Sequence, residues 1–305
     1  MELDRHDPLW SILELVPGWR ASIHSVTVLP GGITNRSYRV GTTTGDFVVR
    51  VPGAQTELLG IDRRAEASIT IAAAQLNIAP AVLCQIPAFG TVVSDFVDAR
   101  PLDPADIALP TVLGPIIDVL RRLHSHPPII HEFPIFQIVR RHDDDARRLS
   151  ASHSETAALL HLAARIETAI PLHERLSTLC HNDLLPANIL LSPHGRVWLI
   201  DYEYAGMNHA MFDLANLSIN ASFDAASDER LLHQYFGRIT ATTWAQLHLF
   251  KIVSELREGL WGLVQSAIST SVETDFAAYA DNRLRNCAYL ASHAEVGRWL
   301  IDARQ

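Results

Sequence analysis

Apolar residues recur with two different periods along this chain, and the change from one to the other divides it. Residues 24–29 are rich in apolar and β-branched side chains and run into Pro30-Gly31-Gly32, a turn signal. Ser37–Val40 and Phe47–Val51 alternate, with Gly41 and Gly45 between them, and predict a hairpin. Asp62–Leu76 has helical spacing, with Asn77 and Pro80 as stop signals. Ala81–Cys84 and Thr91–Phe96 predict two more strands. The first hundred residues therefore predict strands around one helix.

Pro101 and Pro104 break regular structure within residues 98–104, which are predicted to be a hinge or linker. Beyond it the pattern is mostly helical. Thr111–His124 is one helix, residues 143–170 hold one or two more, and residues 226–300 return to helix. Residues 178–206 are the exception, with short apolar strands flanking polar, sharply turning segments. The predicted fold is α+β and two-lobed, with a small antiparallel-sheet lobe over residues 1–97 and a larger, mainly helical lobe over residues 105–305.

Composition fits that layout. The chain has 305 residues, 48% hydrophobic and 19% charged, which suits two packed lobes and excludes a disordered chain. The net charge of −9 argues against a nucleic-acid partner, whose phosphates call for Lys and Arg. It is compatible with a cationic or neutral small molecule. Cys84, Cys180 and Cys287 are far apart and form no CxxC pair, so a reducing, cytoplasmic setting is expected. The N-terminus lacks an apolar signal core, and no apolar stretch has the length of a membrane span. Nothing in the sequence sets an oligomeric state.

The chemistry concentrates in HNDLLPAN, which carries His181, Asp183 and Asn188. Thirteen residues after Asn188 the apolar run Val197–Ile200 ends on Asp201. Phosphoryl transfer needs a carboxylate to orient and deprotonate the attacking hydroxyl, and oxygen ligands to hold magnesium on the phosphates. Asp183, Asn188 and Asp201 supply all three. Asp and Asn also favour caps and turns, which explains any one of them alone but not the ordered set. Gly31, Gly32, Thr34 and Asn35 form a second candidate, a turn whose backbone N–H groups approach phosphate oxygens. By itself it reads more readily as an ordinary hairpin turn.

H-x-D-x-x-x-x-N followed by an apolar strand and Asp resembles the catalytic loop and metal-binding aspartate of the protein-kinase-like fold. IDYEYAGMNHAMFDLANL, Ile200 to Leu217, and GGITNRSYRV, Gly31 to Val40, resemble the choline/ethanolamine kinase and aminoglycoside phosphotransferase family, nearest its bacterial choline-kinase-like members. The resemblance runs from about residue 29 to 290 and implies a bilobal protein-kinase-like fold using ATP and Mg2+. Carried over, Asp183 is the catalytic base, and Asn188 and Asp201 are the magnesium ligands. His181 braces the loop and Asp213 anchors it. Arg50 takes the place of a phosphate-contacting lysine, with Glu66 as its helix partner. The backbone of Ser94–Val97, including Phe96, passes the adenine, and Leu190 is a candidate floor for it. Glu203, Trp261, Phe276 and Tyr279 are expected around a cationic acceptor, since aromatic faces attract ammonium groups. Asn220 departs from the pattern where a glutamate is usual.

The resemblance implies a kinase acting on the hydroxyl of choline or ethanolamine. The alternatives are an aminoglycoside or another amino alcohol as acceptor, and a nucleotide-binding pseudokinase, against which the intact acidic set argues. His124, His126 and His131 read as an ordinary helix end rather than a metal site, and Asp143-Asp144-Asp145 as a solvated helix start.

Overall fold

Alternation along the first strands builds a sheet with two chemically different faces. In the computed structural model, residues 8–30, 35–53, 59–151, 153–269 and 274–304 are described. Strands β1 (Ile23–Val28), β2 (Asn35–Thr42), β3 (Gly45–Pro52), β4 (Val82–Ile86) and β5 (Thr91–Asp95) pair in the order β1-β2-β3-β5-β4, every neighbour antiparallel. Side chains two apart share a face. Tyr38 and Val40 on β2, Phe47 and Val49 on β3, and Val93 on β5 therefore point one way and are buried. Ser37, Val48, Arg50, Val92 and Ser94 point the other way and line a cavity.

A helix that the sequence reading did not anticipate, α1 (Pro8–Leu15), covers the buried face. Leu9, Ile12, Leu13 and Val16 follow helical spacing and pack with Trp19 on that sheet core. The predicted helix is α2 (Arg63–Gln75). The Asp62 carboxylate caps it by accepting from the N–H groups of Arg64 and Ala65 at 2.9 and 3.1 Å. Asn77, in the left-handed region at φ 56°, follows its end.

The chain divides into two compact units, Met1–Leu102 with Ala187–Ala205, and Asp103–Pro186 with Gly206–Gln305. The expected linker, residues 98–104, is more ordered than its prolines suggested. Pro101 lies in an edge strand, β6 (Arg100–Pro101), and Pro104 is the first residue of α3 (Pro104–Ile107), where its missing N–H costs nothing. In the second unit α4 (Pro110–His124), α5 (Ile135–Arg148) and α6 (Thr156–Ala169) follow, then β7 (Thr178–Cys180). The acidic run is not a helix start. Asp143–Asp145 lies in the C-terminal half of α5, Asp143 is buried, and its carboxylate pairs with Arg147 at 2.8 Å.

Residues 187–205 belong to the first unit, whereas the sequence reading ran the second lobe unbroken from residue 105. The physical reason is hydrogen bonding. Strands β8 (Ile189–Leu191) and β9 (Val197–Leu199) form a hairpin, β8 pairs with β6, and the Leu199 N–H donates to the Ile78 carbonyl at 2.7 Å. The second unit resumes with β10 (Gly206–Asn208), antiparallel to β7, and helices α7 (Ala210–Asn220), α8 (Ala225–Phe236), α9 (Ala241–Ile268), α10 (Phe276–Ala291) and α11 (Val296–Asp302). Apolar side chains of α9 are buried on nearly all sides between residues 245 and 265, which makes it the axis of this unit's core. No helix among the described residues is long and apolar enough to cross a membrane.

Ile12 is fully buried between α1 and the sheet. Ile12→Ala is expected to destabilise the protein by about 2–5 kcal/mol, read as a lower urea midpoint. A wild-type midpoint would show that α1 contributes nothing to the core.

Candidate active site

The first unit holds a cavity of about 350 Å³ on the face of the sheet opposite α1. Its apolar walls include Val48, Val92, Leu190 and Leu199, and the strand-to-linker segment Ser94–Val97 borders it. Leu190 is placed there by the β6–β8 pairing, opposite Pro101. Phe96 lines it as well, with its ring under the Arg39 guanidinium at 3.9 Å. Asn188, directly before β8, and Asp201, two residues after β9, both face this cavity. Asp201 is left-handed at φ 68°, an uncommon conformation that Asp tolerates better than most residues. Of the glycine-turn candidates, Gly31, Gly32 and Thr34 lie outside the described residues.

Ion pairing organises the polar end of the cavity. Arg50 donates to Glu66, to Asp201 Oδ1 at 2.5 Å and to Glu203 Oε2 at 3.1 Å. Arg63, in the first turn of α2, donates to Glu66 Oε2 at 2.6 Å, Glu203 Oε2 at 3.3 Å and Asn35 Oδ1 at 3.0 Å. The Asn35 amide completes the mesh by donating to Glu203 Oε2 at 2.9 Å. Burial works against the Arg50 charge, yet Asp201, Glu66 and Glu203 raise its pKa above the ordinary guanidinium value. The pairing of Arg50 with Glu66 is the one expected. Two assignments change. Glu203 was expected beside the acceptor, but its carboxylate is held in the first unit by Arg50, Arg63 and Asn35, because the chain after Asp201 is still part of that unit. Asn35 orients this carboxylate with its side chain. Arg63 escaped the sequence reading, since a basic residue after a helix cap looks like an exposed one.

In the second unit the acidic loop is fixed by one face of α7. The Asp213 carboxylate accepts from the backbone N–H of His181 at 2.8 Å and of Asn182 at 2.7 Å. His124 Nε2 lies 2.9 Å from the same carboxylate, and its Nδ1 lies 2.7 Å from the Tyr235 hydroxyl. One and two turns further along α7, Asn216 accepts from the Leu184 N–H at 2.6 Å and Asn220 donates to the Leu184 carbonyl at 3.3 Å. Asp183 is displayed between these fixed points, with Arg257 Nη1 3.4 Å from its Oδ1. His181 contributes to the brace through its backbone N–H. His124, Cys180 and Asp213 bring possible ligand atoms within 4.8 Å of one another. The Asp213 oxygens are already committed to the loop, and burial, with Asp213 nearby, pushes the Cys180 thiol well above its usual range. The group acts as a loop anchor.

Trp261, Phe276 and Tyr279 do come together. The Trp261 ring meets Phe276 edge-on at 5.8 Å and Tyr279 at 6.0 Å, and the Tyr279 hydroxyl donates to Glu258 Oε2 at 2.6 Å.

One unit is an antiparallel sheet whose cavity ends on Arg50, Asn188 and Asp201, and the other is a helical unit presenting Asp183 on an anchored loop; each has the features of a protein-kinase-like phosphotransferase. The profile of the phosphotransferase enzyme family matches residues 25–250, and the chain belongs to that family. Ethanolamine kinase 1 of Mus musculus is 27% identical over 322 residues, covering 90% of this chain and 86% of the relative. The solved choline/ethanolamine kinase family protein of Mesorhizobium loti superposes with a TM-score of 0.82 at 29% identity, covering 98% of both chains. Choline kinase LicA of Streptococcus pneumoniae gives 0.74 at 25% identity, covering 90% of this chain and 95% of its own. The chain is a small-molecule kinase of this family, with an alcohol as the accepting group.

Asp213→Ala would leave two buried backbone N–H groups without their acceptor, at a cost of about 1–3 kcal/mol each. The amides of His181 and Asn182 are expected to exchange with solvent faster than in wild type, measured by hydrogen exchange. Unchanged protection there would mean that Asp213 does not anchor the loop.

Proposed function

We propose that this chain transfers the γ-phosphate of ATP, with Mg2+, to the hydroxyl of a small amino alcohol of the choline or ethanolamine kind, and does so in the cytoplasm. The observation that carries the reading is the cavity of the first unit, whose apolar walls end on Arg50, Asn188 and Asp201. Those walls suit a purine, with the backbone of Ser94–Val97 and Phe96 beside it and Leu190 below. Asn188 and Asp201 offer hard oxygen donors, the kind magnesium selects, and would hold the ion. When bound, the ion neutralises negative charge on the transferring phosphates.

The chain's own groups do the rest. Arg50 presents a planar guanidinium fork, a shape matched to phosphate oxygens. Glu66 and Glu203 hold that fork in place. Asp183 orients the acceptor hydroxyl and takes its proton as the oxygen–phosphorus bond forms and the bond to the departing ADP breaks. No phosphoenzyme is needed, and positioning supplies most of the rate. Trp261, Phe276 and Tyr279 receive the ammonium end, toward which aromatic rings direct their quadrupole. In this reading residues 1–102 with 187–205 bind the nucleotide, and residues 103–186 with 206–305 carry the base and the acceptor site.

Purified protein with ATP and Mg2+ is expected to release ADP with choline or ethanolamine and not with aminoglycosides. Asp183→Asn is expected to lower kcat by about 10²- to 10⁴-fold while leaving nucleotide affinity unchanged. Turnover confined to an aminoglycoside would discard the amino-alcohol reading. ATP binding with no turnover across the panel would replace it with a pseudokinase.

A further inference from the structure

Helix α9 places Glu258 three residues before Trp261, on the same face of the helix. Glu258 is buried, and its two oxygens look in two directions. Oε2 accepts from the Tyr279 hydroxyl at 2.6 Å, and Tyr279 touches the Trp261 ring. Oε1 accepts from Arg257, whose same Nη1 lies 3.4 Å from Asp183 Oδ1. One carboxylate thus belongs to the aromatic cluster and stands a single guanidinium away from the proposed base. The hydroxyl and ammonium of a small amino alcohol are themselves only two carbons apart.

We propose that Glu258 selects the acceptor by its ammonium group, accepting N–H bonds from primary and secondary ammonium ions and so favouring the less methylated amino alcohols. The inference rests on the proposed function and names the specificity residue of that site.

Three observations support it. A carboxylate has about four acceptor positions, and each Glu258 oxygen is bonded to one donor, so each retains capacity for another. The local charge also favours it. Asp183, Glu255 and Glu258 face Arg257 and Arg283 among the described residues, with Arg283 3.3 Å from Glu255 and 5.2 Å from the Tyr279 ring. Carboxylates thus crowd this part of the helical unit, and a cationic ligand is attracted to them. Burial pushes the Glu258 carboxyl up, but Arg257, Arg283 and the Tyr279 hydroxyl together hold it below the usual carboxylate range, so it stays ionised.

The alternative is a carboxylate that only ties α9 to α10. The glycines of α9 already make that joint. A Cβ on Gly259 would lie 2.7 Å from the Leu284 side chain, and one on Gly262 would lie 3.0 Å from the Ala280 Cβ and the Tyr279 ring. Helices that approach this closely through small residues need no buried charge, whose desolvation is costly.

Each N-methyl group removes one N–H donor, and a quaternary ammonium keeps only its attraction to the rings. The test measures kcat and KM of the full chain for ethanolamine and its N-methyl, N,N-dimethyl and N,N,N-trimethyl derivatives. Wild type is expected to lose about 10- to 100-fold in kcat/KM from first to last. Glu258→Gln, similar in volume, is expected to raise KM for ethanolamine by about 10- to 100-fold, leave kcat little changed and level the series. Should that variant fold poorly, Tyr279→Phe keeps the ring, removes the hydroxyl that aims the carboxylate, and is expected to narrow the series severalfold. An equal fall in kcat across the series at constant KM would overturn the inference, because Glu258 would then be acting on Asp183 through Arg257. A wild-type preference for the trimethyl member would also overturn it while leaving the proposed function intact. If no member were phosphorylated by wild type, the proposed function would fail too.

Discussion

The second unit depends on one carboxylate. Asp213 is fully buried and accepts from two consecutive backbone amides, those of His181 and Asn182. Its position in the first turn of α7, where the helix dipole favours negative charge, lowers the cost of keeping it there. The grip holds a backbone that would not choose its own shape. Asn182 stands at φ 65°, and its side chain donates toward the carbonyls of Cys180 and Gly206 while accepting from Asn208 at 2.8 Å. A conformation of this kind persists when its surroundings over-determine it. Asp183 therefore emerges from a rigid loop, and rigidity is what a group needs when catalysis relies on position rather than on reactivity.

The first unit solves a similar problem with charge. Asp201 is another left-handed residue at the end of a strand, and its carboxylate is held by Arg50. Arg50 is in turn shared with Glu66 and Glu203, and Arg63 closes the circuit through those two residues and Asn35. Buried ion pairs of this sort contribute little net stability, because desolvation consumes most of the Coulomb gain. Their value here is geometric. The planar fork of Arg50 fixes the direction of three carboxylates and that of Arg63 two, so groups from β3, α2 and the segment after β9 keep a common register. An apolar cluster of equal volume would stabilise as well but would fix no such directions.

What the sequence disclosed followed from the range of each constraint. The sheet strands, α2 and the His181–Asp201 pattern were legible because each is set by local periodicity or by a spacing that the chemistry demands. Helix α1 leaves only a faint trace, the spacing of Leu9, Ile12, Leu13 and Val16, because it is short. The grip of Asn216 and Asn220 on the loop is not legible in sequence, since a helix residue that holds a distant backbone looks like any other polar position. Glu203 was misassigned for a related reason. Adjacency to Asp201 in sequence suggested the acceptor site, while the fold keeps the residue with Arg50 and Arg63. Asp143 looked like a solvated helix start because nothing in the run of three aspartates shows that α5 begins at Ile135.

The two units share a pattern of charge that no single residue reveals. In the first, Glu66, Asp201 and Glu203 face Arg50 and Arg63; in the second, Asp183, Glu255 and Glu258 face Arg257 and Arg283. Among the described residues each group brings three carboxylates together with two guanidiniums. A buried group left with excess charge is costly, and the cost is relieved by a ligand of opposite sign. In the proposed reaction the metal ion is drawn to Asp201 while the anionic phosphates meet Arg50, and an ammonium group is drawn to the carboxylates of the second set. In that reading the first set takes a metal-bound nucleotide and the second a cationic acceptor.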